Sequence, residues 1–97
     1  MLTDQQFDSI EVSTYIGTFL KRRRKGAGLT GAELASRLSI SQQQISRYER
    51  GVNAITIQSL LGILHALELK KHDIDDFLQN IFHFYYIDID MENKLLN

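Results

Sequence analysis

Residues 30–51, TGAELASRLSISQQQISRYERG, constrain this chain more than any other stretch, because one helix-opening signal occurs in them twice. Thr30 with Glu33 has the spacing of a capping box: the hydroxyl accepts from a free N–H of the first turn, and the third side chain reaches back to the cap. Ser41 with Gln44 repeats that spacing. Between the caps, Leu34, Ala35 and Leu38 fall on one helical face, and Ile45 with Tyr48 on another. Gly51 closes the second segment, where a residue free to take positive φ satisfies the last carbonyls. The pattern predicts two helices of about two turns each, joined by a tight turn. Neither can bury much by itself, so both must be carried on a small bundle.

Such a pair reads as a helix-turn-helix, whose second helix enters the DNA major groove. Its outward residues are Gln42, Gln43, Gln44, Ser46, Arg47 and Arg50. A Gln amide offers a donor to adenine N7 and an acceptor to N6–H₂, and Arg offers two donors to guanine O6 and N7. A solvated polar face is the plain alternative. Three consecutive Gln with no acid before Glu49 are unusual for one.

Net charge is −1, which by itself argues against a nucleic-acid binder. The distribution of charge argues the other way. Residues 13–71 carry ten Lys or Arg against only Glu33, Glu49 and Glu68, whereas residues 1–12 and 72–97 are acidic. Positive charge is concentrated on the segment that holds the motif, as phosphate binding requires.

The segment from Ile16 to about Leu78 resembles the Cro/C1-type helix-turn-helix family, also called the XRE family. The likeness rests on Ile16-Gly17, Leu20-Lys21, Arg24, Gly28-Leu29-Thr30, Ala32-Glu33-Leu34-Ala35, Leu38, Ile40-Ser41-Gln42, Ile45-Ser46, Tyr48-Glu49 and Gly51, in that order. YIGTFLKRRRK, LTGAELA and SQQQISRYERG also look like the small regulators encoded with fimbrial operons in enterobacteria. The resemblance implies an all-α, five-helix, lambda-repressor-like bundle that binds double-stranded DNA as a homodimer and needs no cofactor. Base contacts are expected from Gln42, Gln43, Ser46 and Arg47. Backbone contacts are expected from Lys21, Arg22, Arg23, Lys25, Thr30, Ser41, Gln44, Arg50 and Asn53. By analogy with the family, Arg24 should pair with Glu49 and tie the first helix to the end of the recognition helix.

Two positions depart from the family pattern. Gly31 stands where the family often has a Gln that contacts a phosphate and braces the first recognition-helix Gln. Ser39 stands where the tight turn usually carries a left-handed Gly, at a cost of roughly 1 kcal/mol for a side chain there.

The remaining helices follow from periodicity. The first is predicted over residues 13–26, with Ile16, Phe19 and Leu20 inward. A fourth begins after Thr56 and carries Ile57, Leu60, Leu61, Leu64 and Leu67 to about Leu69. A fifth opens at Asp73, with Asp75 and Asp76 well placed for the helix dipole, and buries Ile74, Phe77, Leu78 and Ile81. The expected organisation is an N-terminal extension over 1–12, the DNA-binding domain over 13–80 and a C-terminal extension over 81–97.

That extension holds four of the nine aromatic residues within five positions. From Phe84 onward apolar and polar residues alternate, so residues 85–91 read as a short strand. A lone strand needs a partner. The expectation is a dimerisation segment built from Phe82, Phe84, Tyr85, Tyr86, Ile87 and Ile89, with a continued helix as the other reading.

Composition excludes several classes. There is no cysteine, hence no disulfide scaffold, thiolate metal site or Cys nucleophile. The three histidines are scattered, so no metal site is expected. No phosphate-binding Gly motif or nucleophile elbow suggests an enzyme. MLTDQQFDSIEV has no basic leader region, and no stretch approaches the ~20 apolar residues that span a bilayer. A cytoplasmic protein without membrane contact is the expectation. Two alternatives to a transcription regulator stand. One is an antitoxin that silences a toxin protein and autoregulates its operon; the other is a protein-interaction module that keeps the fold without binding DNA.

Overall fold

The structure is a computed structural model that describes the backbone of residues 9–96 and the side chains of residues 11–84. Its elements are α1 (Ser9–Gly26), α2 (Gly31–Leu38), α3 (Gln42–Arg50), α4 (Ile57–Ala66) and α5 (Lys71–Leu96). Among the described residues every element is helical, so the fold is all-α. None of these helices is long and apolar enough to cross a membrane.

The local signals act where the sequence places them. Thr30 and Glu33 form a complete capping box at the start of α2. At α3 only half of the expected box forms: the Ser41 hydroxyl accepts from the Gln44 N–H at 3.1 Å, but among the described residues the Gln44 side chain does not bond back to the cap. Thr56 caps α4 through the Ser59 N–H. All four connections turn on a left-handed residue: Gly28, Ser39, Gly51 and Glu68. After each, the chain bonds back across the helix end. Examples are Ile40 N to Ala35 O at 3.1 Å and Val52 N to Arg47 O at 3.1 Å. These bonds satisfy carbonyls that each helix would otherwise leave free.

Leu20, Leu34, Ala35, Ile45, Leu60, Ile63, Leu64, Leu67 and Phe77 are buried and draw all five helices into one core. Between α1 and α5 the core is aromatic: Phe19 stacks on Phe77 with ring centroids 4.1 Å apart, and Tyr15 contacts both Phe77 and Phe84. Such pairs add about 0.5–1.5 kcal/mol each beyond area burial.

Several expectations are corrected. α1 begins at Ser9, not residue 13, with Glu11 in its first turn where the dipole favours an acid. α4 stops at Ala66, because Glu68 turns to φ 54. α5 opens two residues before Asp73, and Leu78 remains exposed on it. The largest correction concerns the tail. Residues 85–91, read as a strand, continue α5, which runs unbroken through residue 80 to Leu96. A helix satisfies its own N–H and C=O groups, whereas a single strand leaves them open. The core-facing row Ile74, Phe77, Ile81 and Phe84 sets the helical period that the tail follows.

Candidate nucleic-acid interface

α3 has two faces with separate tasks. Ile45 is buried and Tyr48 packs against the core, and successive residues are offset by about 100° around the axis. Gln43, Arg47 and Arg50, at i, i+4 and i+7, therefore point away from the bundle, and all three are exposed. Ser46 is half-buried beside them and accepts from Arg50 Nε through its carbonyl at 3.3 Å. Gln44 is half-buried on the flank, while Ser41 and Gln42 are exposed at the N-terminal end. The resulting surface offers amide donors and acceptors and guanidinium donors, with no carboxylate on it.

Backbone contact holds α3 in place. A Cβ built on Gly17 would fall 2.3 Å from the Tyr48 carbonyl oxygen and 2.5 Å from that of Glu49, so only glycine lets α1 lie this close. Gly51, at φ 70, also lies close to α1, where a Cβ would fall 2.8 Å from Thr14 Cα and N. Sequence reading assigns no role to Gly17; a glycine inside an otherwise helical pattern is the one signal that points to it.

Arg24 completes the attachment. Its Nε donates to Glu49 Oε2 at 2.6 Å, its Nη2 to Oε1 at 3.0 Å, and its Nη1 to the Leu29 carbonyl at 2.8 Å. The two side chains are only 11% and 8% exposed. The hydrogen bond to Glu49 raises the Arg24 pKa further above its ordinary value, against a smaller opposing effect of burial.

The basic run at the end of α1 divides by helical phase. Lys21 shares the Gly17–Arg24 face that looks toward α3, and it is exposed, as are Arg22 and Lys25. Arg23 instead reaches α5, where its Nη2 lies 3.1 Å from Asp73 Oδ2. Arg22 and Arg23 line a groove of about 420 Å³ with Gly26, Ala27, Leu67 and Leu69. The Arg23–Asp73 pair joins positions 50 apart in sequence, and no local pattern announces it.

Thr30 and Asn53 are exposed at the start of α2 and in the α3–α4 loop. The Thr30 hydroxyl accepts from Glu33 N, and Glu33 Oε1 accepts from Thr30 N at 2.9 Å. The Thr30 N–H, and after it the Thr30 hydroxyl, hold the Glu33 carboxyl below the usual range. Gly31 adjoins Gln42: a Cβ there would stand 3.8 Å from Gln42 Cγ and 3.9 Å from Nε2. Phe82 is exposed on α5 and Phe84 is half-buried. The side chains of Tyr85, Tyr86, Ile87 and Ile89 lie outside the described residues.

Two short capped helices across a left-handed turn, with an outward polar face on the second, define a helix-turn-helix DNA-binding domain. The chain belongs to the Cro/C1-type helix-turn-helix family, whose helix-turn-helix pattern matches residues 20–74. A protein described as a transcriptional regulator in the ATPase CF(0) region of Rhodospirillum rubrum is 36% identical over 70 residues, covering 72% of this chain and 62% of the relative. A helix-turn-helix regulator of Sinorhizobium fredii is 30% identical over 74 residues, covering 72% of this chain and 52% of its own length. The chain thus spans between half and two thirds of these curated relatives. Among solved structures, the clp gene regulator ClgR from Corynebacterium glutamicum superposes with a TM-score of 0.64 at 24% identity, over 87% of this chain and 89% of that one. At that identity the likeness is one of fold.

Proposed function

We propose that this chain regulates transcription by binding a two-fold operator as a homodimer, each protomer placing α3 in the major groove. One observation carries the reading: the exposed row Gln43, Arg47 and Arg50 lies on the side of α3 opposite buried Ile45. Gln42, Gln43, Ser46 and Arg47 are assigned to base edges. Lys21, Arg22, Lys25, Thr30, Ser41, Gln44, Arg50 and Asn53 are assigned to phosphates. Arg23, engaged with Asp73, is assigned to the fold rather than to DNA. Dimer formation is supported by Leu78 and Phe82, which are 38% and 53% exposed one turn apart on α5.

Selection of bound sequences from a random DNA pool tests this directly. The expected result is a two-fold motif whose half-site centres lie one turn, ~34–36 Å, apart. Retention of DNA without any enriched sequence would overturn the reading, since phosphate attraction alone does not discriminate sequence.

A further inference from the structure

Gln42 stands apart from the other groups assigned to bases. It lies at the start of α3 beside Gly31, and a Cβ at Gly31 would meet nothing but the Gln42 side chain within 4 Å. Among the described residues, its exposed amide has no hydrogen-bond partner. Position 31 of α2 therefore offers no side chain to hold that amide one way round.

The orientation decides what Gln42 recognises. An amide has a carbonyl acceptor and an NH₂ donor at nearly isosteric ends. With the NH₂ toward N7 and the carbonyl toward N6–H₂, it fits adenine; with NH₂ toward the N7 and O6 acceptors, it fits guanine. Arg47 differs in kind. A guanidinium has only donors, so turning it does not change the pattern it reads.

We propose that Gly31 is a specificity-determining position, whose missing side chain leaves Gln42 unoriented and makes the operator tolerant of either purine at the base pair Gln42 faces. This rests on the reading of α3 as the major-groove helix. Gly31 acts through Gln42 and touches no base itself. A side chain at position 31 would find ordinary contact distances to Gln42 rather than a clash. Replacing glycine in a helix also favours folding, so variants here remain testable.

The experiment is binding-site selection with the full chain in four forms: unchanged, Gly31→Ala, Gly31→Gln and Gln42→Ala, with thermal unfolding first showing each to be folded. Gln42→Ala identifies the base pair concerned as the one whose preference it alters. At that pair the unchanged chain should bind adenine and guanine operators within about threefold of each other. Gly31→Gln, which supplies an amide to orient Gln42, should widen that ratio to about tenfold or more, near the low end for an oriented bidentate contact. Gly31→Ala should fall between. A ratio already beyond tenfold in the unchanged chain, or one that neither substitution moves, overturns the proposal while leaving a defined operator. A Gln42→Ala variant that keeps every preference of the unchanged chain overturns it too. Absence of any motif in the unchanged chain defeats the major-groove reading itself, a result plainly different from a sharp operator.

Discussion

Arg24 grips Glu49 by both carboxylate oxygens, at 2.6 and 3.0 Å, and so fastens the C-terminal end of α3 to α1. Both side chains are largely withdrawn from water. Removing one partner leaves a desolvated charge, which in buried pairs costs about 3–5 kcal/mol. Glu49→Ala should destabilise by about 3 kcal/mol in urea unfolding. Lys71→Ala, which breaks an exposed pair with Asp75, should change stability by about 0.5 kcal/mol or less. Comparable losses from both would mean that the Arg24–Glu49 pair contributes no more than a surface contact.

Glycine-to-alanine changes should have opposite signs at two helical sites. Gly17→Ala forces a methyl into the Tyr48 and Glu49 carbonyls and should destabilise by about 3 kcal/mol, at the upper end of overpacking effects. Gly62→Ala, inside α4, meets Leu38 Cδ2 at 3.6 Å, an ordinary contact. It should stabilise by about 0.5–1 kcal/mol through helix propensity. Thermal unfolding of both variants checks the pair, and a neutral Gly17→Ala would contradict the close approach of α1 and α3.

Acid should act on the α2 cap. Glu33 titrates below the unfolded carboxyl value of about 4.3 because the Thr30 N–H stabilises its charged form. Its contribution is therefore complete above that unfolded value and disappears as pH falls through the lower folded one. The unchanged chain should melt above Glu33→Gln at pH 7, and the difference should shrink steadily as pH falls below the unfolded carboxyl value. A difference independent of pH would assign it to side-chain size and not to charge.

On DNA, Gln43→Ala should weaken the preferred operator by about 1–3 kcal/mol and random DNA hardly at all. Lys21→Ala should weaken both alike and reduce the salt dependence by about one counterion per protomer. Titrations at several salt concentrations separate the two. A Gln43→Ala loss that is equal on all sequences would move Gln43 to the backbone.

For the dimer, Phe82→Asp places a charge on an exposed ring position and leaves the core-facing row Ile74, Phe77 and Ile81 untouched. The variant should sediment as a folded monomer at micromolar concentration. It should keep non-specific affinity but lose tight operator binding, because the two half-sites no longer share one ligand. An unchanged dimer would exclude this face of α5.

Most of the fold is legible in the sequence because its signals are local. Thr30, Ser41 and Thr56 mark helix starts, and the left-handed turn at Ser39, φ 56, follows from the family pattern of that turn. The tail misleads because seven residues of alternating polarity also fit a helix, and only the preceding row at 74, 77, 81 and 84 decides between them. The outward residues of α3 can be named from periodicity. Gly17 against Tyr48 and Arg23 against Asp73 cannot, since each depends on how separate helices meet in space, and Gly31 beside Gln42 is legible only through the family pattern.

The C-terminal end of α3 is thus fixed to α1 twice, by main-chain contact at Gly17 and by the Arg24–Glu49 ion pair, while its outward row has no part in either. Aim and alphabet are carried by different atoms. On the proposed reading, descendants of such a chain can exchange Gln43 or Arg47 and acquire a new operator without relearning how to fold, whereas a change at Gly17 would redirect or unseat the helix whatever it reads.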